Sequence, residues 1–376
     1  MNNVTAATLA PGKVEIRKFP HPEVGPGDVL IQIQSVGICG SDKHMFLGHA
    51  SLQFPVVPGH ELVGNVVALG DDAQAQSNII SGPLAPGDRV TVTPSRGSCG
   101  RCWYCRHVPH KPALCPNRKV YGFMPANHPP GLHGGLAEFM LAGPGSNIFR
   151  IPDEVSTARA VMTEPAAVAT RAVERAMGTG VPHIGEGLGI GKRVAVLGCG
   201  PIGLLAIAAL RHIGADTIIA TDASSKRLKI AQAMGADVTI NLTEVDAEQR
   251  LEAVQTVTNG VGPDVAIESA GTPAAFAEGL AMIRRGGRLV EVGHYFENGT
   301  TPLSPHTICH KDVDILGVWA YPPIQFETAL SFLHRSSAPL EKLLSESIPL
   351  AKLEHGLEMT GREDVLKVVV EPCRTT

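Results

Sequence analysis

Arg193-Val-Ala-Val-Leu197-Gly198-Cys199-Gly200-Pro201-Ile202-Gly203 is the stretch that decides the fold. Its first five residues read as a short apolar strand, the glycines of Gly198-x-Gly200-x-x-Gly203 follow at once, and residues 202–213 carry apolar side chains at helical spacing. Asp222 stands at the end of the next apolar run, Thr217-Ile-Ile-Ala-Thr221, nineteen residues beyond Gly203. Each part has a physical task. The glycines allow a tight turn and a close approach of backbone to a pyrophosphate, the helix start favours its negative charge, and the acid can bond the ribose hydroxyls. The stretch therefore reads as a dinucleotide site in which Gly198, Gly200, Pro201, Ile202, Gly203 and Asp222 meet the cofactor. A carboxylate at 222 repels the 2′-phosphate of NADP and so points to NAD; Lys226 and Arg227 pull mildly the other way, and Arg227 joins the candidate contacts.

Outward from this stretch the same texture repeats. Val238-Thr-Ile240, Asp264-Val-Ala-Ile-Glu268 and Arg288-Leu-Val-Glu-Val292 are further short apolar runs, and residues 226–234 have helical spacing. Alternation of this kind implies an α/β region with a parallel, doubly wound sheet. Ser269-Ala-Gly271 and Val292-Gly293 follow its fourth and fifth strands, where such a sheet opens its ligand crevice, so Ser269 and Val292 are expected to meet the nicotinamide half. Residues 1–160 differ: Val29-Leu-Ile-Gln-Ile33, Leu62-Val-Gly-Asn-Val-Val-Ala68 and Arg89-Val-Thr-Val-Thr93 are β-rich runs parted by turns such as Pro86-Gly-Asp88. The tail closes with Val365-Leu-Lys-Val-Val-Val370, read as a strand returning to this first domain. The expected division is a β-rich domain of residues 1–160 and 337–376 around a nucleotide domain of residues 161–336.

Size and composition agree with this division. A chain of 376 residues exceeds the length at which single cores stop growing, and 44% hydrophobic with 18% charged residues excludes a disordered or coiled-coil polypeptide. The net charge of -4 disfavours nucleic acid and anionic membrane surfaces as partners, leaving a small molecule. No apolar run approaches the roughly 18 residues of a spanning helix, and the start lacks a signal-peptide core, so the expected place is the cytoplasm. Four of the eight cysteines, Cys99, Cys102, Cys105 and Cys115, fall within seventeen residues. In a reducing compartment that clustering reads as a closed tetrahedral zinc site with a structural role.

A third constellation is dispersed: Cys39-Gly-Ser-Asp-Lys-His44, Gly59-His60-Glu61 and Glu164-Pro165. Singly, each residue has an ordinary reading as a packed thiol, a turn histidine, a solvated charge or a helix-start acid. Together, and in this order with the other motifs, they resemble the zinc-dependent medium-chain dehydrogenase/reductase family, in its alcohol, sorbitol and threonine dehydrogenase-like members. The resemblance runs over essentially the whole chain. It implies a GroES-like β-rich catalytic domain before and after a Rossmann domain. It implies that Cys39, His60 and a carboxylate, Glu61 or Glu164, bind a catalytic zinc beside the structural one. It further implies that Ser41 accepts the alcohol proton, that His44 passes it to solvent, and that Asp42 orients His60. The segment between Cys105 and Cys115 is longer than the family's common spacing.

The expected activity is hydride transfer between NAD and a secondary alcohol, polyol or amino alcohol. A nucleotide-bound zinc protein with a sensor or scaffold role and no turnover is the alternative; it accounts less well for the complete set of Cys39, His60 and relay residues. Phe46, Leu47, His49, Phe54, His294, Tyr295, Trp319 and Tyr321 are the residues from which a substrate cleft would be drawn. The resemblance also implies a homo-oligomer, tetramer or dimer.

Overall fold

The computed structural model describes residues 3–177 and 187–374. The chain divides into two compact units, one of Met1–Glu164, Tyr321–His334 and Leu343–Thr376, the other of Pro165–Ala320 and Arg335–Lys342. In chain order the first unit holds β1 (Val4–Ala10), β2 (Lys13–Phe19), β3 (Val29–Gly37), β4 (Glu61–Leu69), β5 (Asn78–Ile80), β6 (Arg89–Val92), β7 (Phe139–Ala142) and β8 (Asn147–Arg150). The second holds β9 (Arg193–Leu197), β10 (Thr217–Asp222), β11 (Val238–Asn241), β12 (Val265–Glu268), β13 (Arg288–Glu291) and β14 (Asp314–Gly317). The chain then returns to the first with β15 (Leu344–Pro349) and β16 (Lys367–Glu371).

In the first unit β1 and β2 form an antiparallel hairpin, and the remaining strands form a sheet in the order β15-β16-β3-β4-β6-β8-β5, with β7 also pairing β3. β3 is the hub. It pairs antiparallel with β4, β7 and β16, and the register sets Gly37 opposite both Glu61 and Val369. Its inward side chains, Val29, Ile31, Ile33 and Val36, join Leu62, Val66, Val368 and Val370 in one buried core. Tyr121 is buried in the same core, and its hydroxyl finds partners in Ser146 Oγ at 2.7 Å and the Gly143 N–H at 2.9 Å. That satisfies the one polar atom this ring takes inside.

The second unit is a six-stranded, wholly parallel sheet in the order β11-β10-β9-β12-β13-β14. Val194 to Leu197 and Val265 to Glu268 are buried without a break, as strands covered on both faces must be. The order reverses between β9 and β12, which is where a doubly wound sheet opens a crevice at its carboxyl ends. Partly buried Asp264 ties the opposite ends together: it accepts from the Arg193 N–H at 2.9 Å and from Arg284 Nε at 2.8 Å. Both ion pairing and backbone bonding hold its carboxyl below the usual range against the cost of burial.

Two features differ from the sequence reading. β14 has no counterpart there, because this edge strand is half-exposed and carries Asp314 and Gly317 in place of a continuous apolar run. The helix Gln325–Arg335, assigned by its position to the nucleotide domain, groups with the first unit up to His334. Packing explains the difference: Phe326 is fully buried against Phe149, with ring centroids 5.5 Å apart, and Arg159 donates to the Leu333 carbonyl at 2.9 Å. Among the described residues no helix is long and apolar enough to cross a membrane.

Candidate metal centres and dinucleotide site

Two adjacent strand ends build the first centre. Cys39 follows β3, His60 precedes β4, and Glu61 begins β4 opposite Gly37, so sheet register alone brings the three together. Their ligand atoms lie within 4.8 Å of one another. Asp42, in the helix Gly40–Phe46, accepts the Cys39 N–H through Oδ2 at 2.8 Å and sets Oδ1 3.8 Å from His60 Nδ1. Ser41 Oγ is 3.5 Å from His60 Nε2. His44 pairs with His49, Nδ1 to Nδ1, at 2.9 Å. Burial, then the neighbouring His49 and Lys43, lower the His44 pKa, which keeps this imidazole neutral at neutral pH.

The centre's chemistry asks for a cation. His60 Nδ1 and Asp42 Oδ1 are buried without a hydrogen-bond partner, an arrangement expensive to leave uncompensated, while the Lys367 ammonium lies 2.7 Å from Glu61 Oε2. Burial disfavours charge on His60, yet Asp42, Cys39 and Glu164 outweigh it and hold the imidazole up to about 10. The potential that would keep a proton there also draws a metal ion, and one thiolate, one imidazole and one carboxylate are a donor set for zinc with an open position.

Glu164, at the start of the helix Thr163–Ala176, stands at the margin of this group: Tyr321 donates its hydroxyl to Glu164 Oε1 at 2.5 Å. The donor atoms that lie within 4.8 Å of one another are those of Cys39, His60 and Glu61. Two partners escaped the sequence reading. Lys367 of β16 donates to Glu61 Oε1 at 2.7 Å and to the Ile38 carbonyl at 3.1 Å, both bonds buried. A lone lysine inside the apolar run 365–370 was the available signal, since a buried ammonium must be paired. Tyr321 was named only as a cleft candidate, and its bond to Glu164 could not be read from the sequence.

The second centre lies in the loop of Cys99, Cys102, Cys105 and Cys115. The sulfurs of Cys99 and Cys105, Cys102 and Cys105, and Cys102 and Cys115 are 3.9, 3.4 and 3.9 Å apart. A tetrahedron of zinc–sulfur bonds has edges of about 3.8 Å. None of the four is in a disulfide, and backbone N–H groups of Arg101 and Cys102 hold the Cys99 thiol below its ordinary pKa, toward the thiolate a metal requires. The longer segment between Cys105 and Cys115 is taken up by a short 3-10 turn at Pro112–Leu114.

The dinucleotide motif occupies the end of β9. Gly198 has φ +96°, and a Cβ there would stand 2.7 Å from the Ala270 nitrogen; a Cβ at Gly203 would stand 1.9 Å from the Gly198 carbonyl oxygen. Only glycine fits either place. At Gly200, by contrast, nothing lies within 4 Å of such a Cβ, and this residue precedes the helix Pro201–His212, with Pro201 in its first turn and Ile202 beside it. Asp222 accepts the Cys199 N–H at 2.7 Å and the Ser224 N–H at 2.8 Å, which anchors its carboxylate at the end of β10 beside the glycine loop. The Arg227 N–H is drawn to the capping Ser224 hydroxyl. Ser269 donates to the Gly198 and Leu197 carbonyls at 2.9 and 3.0 Å, so its side chain braces the loop, while the Val292 N–H is bonded to the Glu268 carbonyl.

Comparison with known proteins gives the family. The family description "Alcohol dehydrogenase GroES-like domain" matches residues 25–153, and "Zinc-binding dehydrogenase" matches residues 201–335. Sorbitol dehydrogenase of Bacillus subtilis (strain 168) is 33% identical over 368 residues, covering 96% of this chain and 95% of that protein. A crystal structure of alcohol dehydrogenase from Thermotoga maritima superposes with TM-score 0.91 at 29% identity, covering 99% of this chain and all of that one. A zinc-binding dehydrogenase from Sinorhizobium meliloti 1021, bound to NADP, superposes with TM-score 0.85 at 27% identity, again over 99% of this chain and all of that one. With two zinc-type donor clusters, a glycine-loop nucleotide site and relatives spanning its full length, this chain belongs to the zinc-dependent medium-chain dehydrogenase/reductase family.

Proposed function

We propose that this zinc-dependent, NAD-linked oxidoreductase of alcohols and polyols uses Cys39, His60 and Glu61 as its catalytic metal ligands, Cys99, Cys102, Cys105 and Cys115 as its structural ones, and Ser41 with His44 as its proton path. The convergence of the first three donors within 4.8 Å, beside a serine hydroxyl, carries the reading. A zinc held by Cys39, His60 and Glu61 would make an alcohol hydroxyl more acidic, and a nicotinamide held at the glycine loop would serve as hydride acceptor. The protein's own residues do the rest. Lys367 neutralises and fixes Glu61, Asp42 faces the His60 imidazole, and Tyr321 holds Glu164 as an adjacent carboxylate. Ser41 receives the substrate proton, and the His44–His49 pair carries it towards solvent. In this proposal the unit of Met1–Glu164, Tyr321–His334 and Leu343–Thr376 bears the metals, and that of Pro165–Ala320 and Arg335–Lys342 bears the nucleotide.

The preferred substrate is a vicinal polyol. A carboxylate among the zinc ligands and the likeness to a sorbitol dehydrogenase support this reading. The proposal extends to a cytoplasmic homo-oligomer, a dimer or tetramer. Eight free cysteines fit a reducing compartment, and β14, with exposed Trp319 beyond it, ends its sheet at an edge open to a second copy. A panel of sorbitol, other polyols, secondary alcohols, threonine and ethanol with NAD should show polyols oxidised faster than ethanol. Ethanol outperforming every polyol would contradict the assignment.

Cofactor choice rests on Asp222. NAD should give a higher kcat/KM than NADP, and Asp222→Ser should narrow or invert the ratio by removing the like-charge clash with a 2′-phosphate. Equal efficiency with both cofactors in the unmodified protein counts against this role.

For the proton path, Ser41→Ala should lower turnover by about 100- to 10,000-fold with zinc retained, the usual worth of general acid-base assistance. His44→Ala should cost less and recover rate when imidazole is added. Near-normal turnover of Ser41→Ala would sink the path.

A further inference from the structure

A third cluster of metal-type donors lies outside both zinc centres. Glu268 and Glu291 are the last residues of β12 and β13, and the parallel register sets them directly opposite each other. Like charges facing across a strand pair repel, and here one is out of reach of water: Glu268 is 0% exposed. Each carboxylate spends one oxygen on backbone. Glu268 Oε1 accepts the N–H groups of Ala270 and Gly271, both at 2.8 Å, while Glu291 Oε1 accepts those of Gly293 at 3.0 Å and His294 at 3.2 Å. The other oxygen of each, Oε2, is buried with no hydrogen-bond partner. His294 completes the group, its Nδ1 2.9 Å from Glu291 Oε1 and 3.6 Å from Glu268 Oε2. The loop above is kept clear by glycine, since a Cβ at Gly293 would stand 2.4 Å from Glu268 Oε2.

We propose that Glu268, Glu291 and His294 bind a divalent transition-metal ion at the carboxyl ends of β12 and β13, separate from the two zinc centres. The ligand atoms of the three residues lie within 4.8 Å of one another, and two unpartnered carboxylate oxygens with one imidazole nitrogen suit an ion such as Mn²⁺ or Zn²⁺ better than Mg²⁺ or Ca²⁺, which take oxygen alone. Among the described residues, the only cationic side chain paired with either carboxylate is His294. Burial, then the charge of the facing Glu291 carboxyl and, once Glu268 is protonated, a hydrogen bond to it, push Glu268 up to about 8, so a cation and a shared proton compete for the pair. Access is open from one side, because Glu291 and His294 keep about a fifth of their side-chain surface exposed, at 19% and 23%.

Mn²⁺ is the probe, since it stands lowest in the divalent affinity order and leaves thiolate-bound zinc in place. Protein holding two zinc ions per chain by metal analysis, stripped of looser metal beforehand, is titrated with Mn²⁺ near pH 7.5, and free ion is read by electron paramagnetic resonance. The expected result is one Mn²⁺ per chain with a dissociation constant below about 1 mM. Glu291→Gln and His294→Ala should each weaken binding at least about tenfold while both zincs remain, as measured by metal analysis. His294 is partly exposed, so its alanine variant keeps the fold in the event that the glutamine variant does not. No stoichiometric Mn²⁺ in the unmodified protein, or binding that both variants leave unchanged, overturns the site and leaves a proton shared by the two carboxylates as the neutralising group.

Discussion

The Lys367–Glu61 ion pair is the interaction on which the first unit's chemistry depends. Glu61 is buried beside a thiol, an imidazole and a second carboxylate, and a fully desolvated anion in that company is untenable without a fixed counter-charge. Lys367 supplies it from 306 residues away, and its second bond, to the Ile38 carbonyl, sets the ammonium one residue from Cys39. Breaking a buried pair of this kind typically costs about 3–5 kcal/mol, because the surviving charge is stranded. The tail strand β16 is thus more than an added edge to β3: it delivers the charge that lets a carboxylate stand among the metal donors.

The same logic, negative groups gathered and then compensated, recurs at each site. Four thiols on a short loop, and Cys39 with His60 and Glu61 at strand ends, are donor sets whose mutual repulsion a cation relieves. Asp222 follows a gentler version: its carboxylate is stabilised by two backbone N–H groups and so can present charge to a ribose. Glu268 and Glu291 show the pattern in the middle of the parallel sheet. There backbone N–H groups satisfy only half of each carboxylate.

What could be read from the sequence was local. The glycine loop, Asp222 and the four cysteines each sit within a short segment whose spacing encodes its geometry, and in the structure Gly198, Gly203 and the sulfurs take the positions their chemistry requires. The Cys39, His60 and Glu61 donors became legible only through family resemblance, because strand register, not spacing, brings them together. Lys367, and Tyr321 as the partner of Glu164, stayed hidden for a stronger form of the same reason: their partners are 306 and 157 residues away. Glu291 reads as one more residue of an apolar strand until its register opposite Glu268 is known. β14 was missed because an edge strand need not be apolar. The helix Gln325–Arg335 was misplaced because periodicity shows that a face is buried and not against what; Phe149 decides that.

The central claim is that this chain holds two zinc ions in chemically different surroundings, one wholly sulfur and one mixed. X-ray absorption at the zinc edge of protein stripped of loosely held metal tests it without any substitution. The account expects two zincs per chain and an average coordination of about 2.5 sulfurs each, with nitrogen and oxygen neighbours completing the remainder. A sulfur-only environment, or a single zinc per chain, would contradict it.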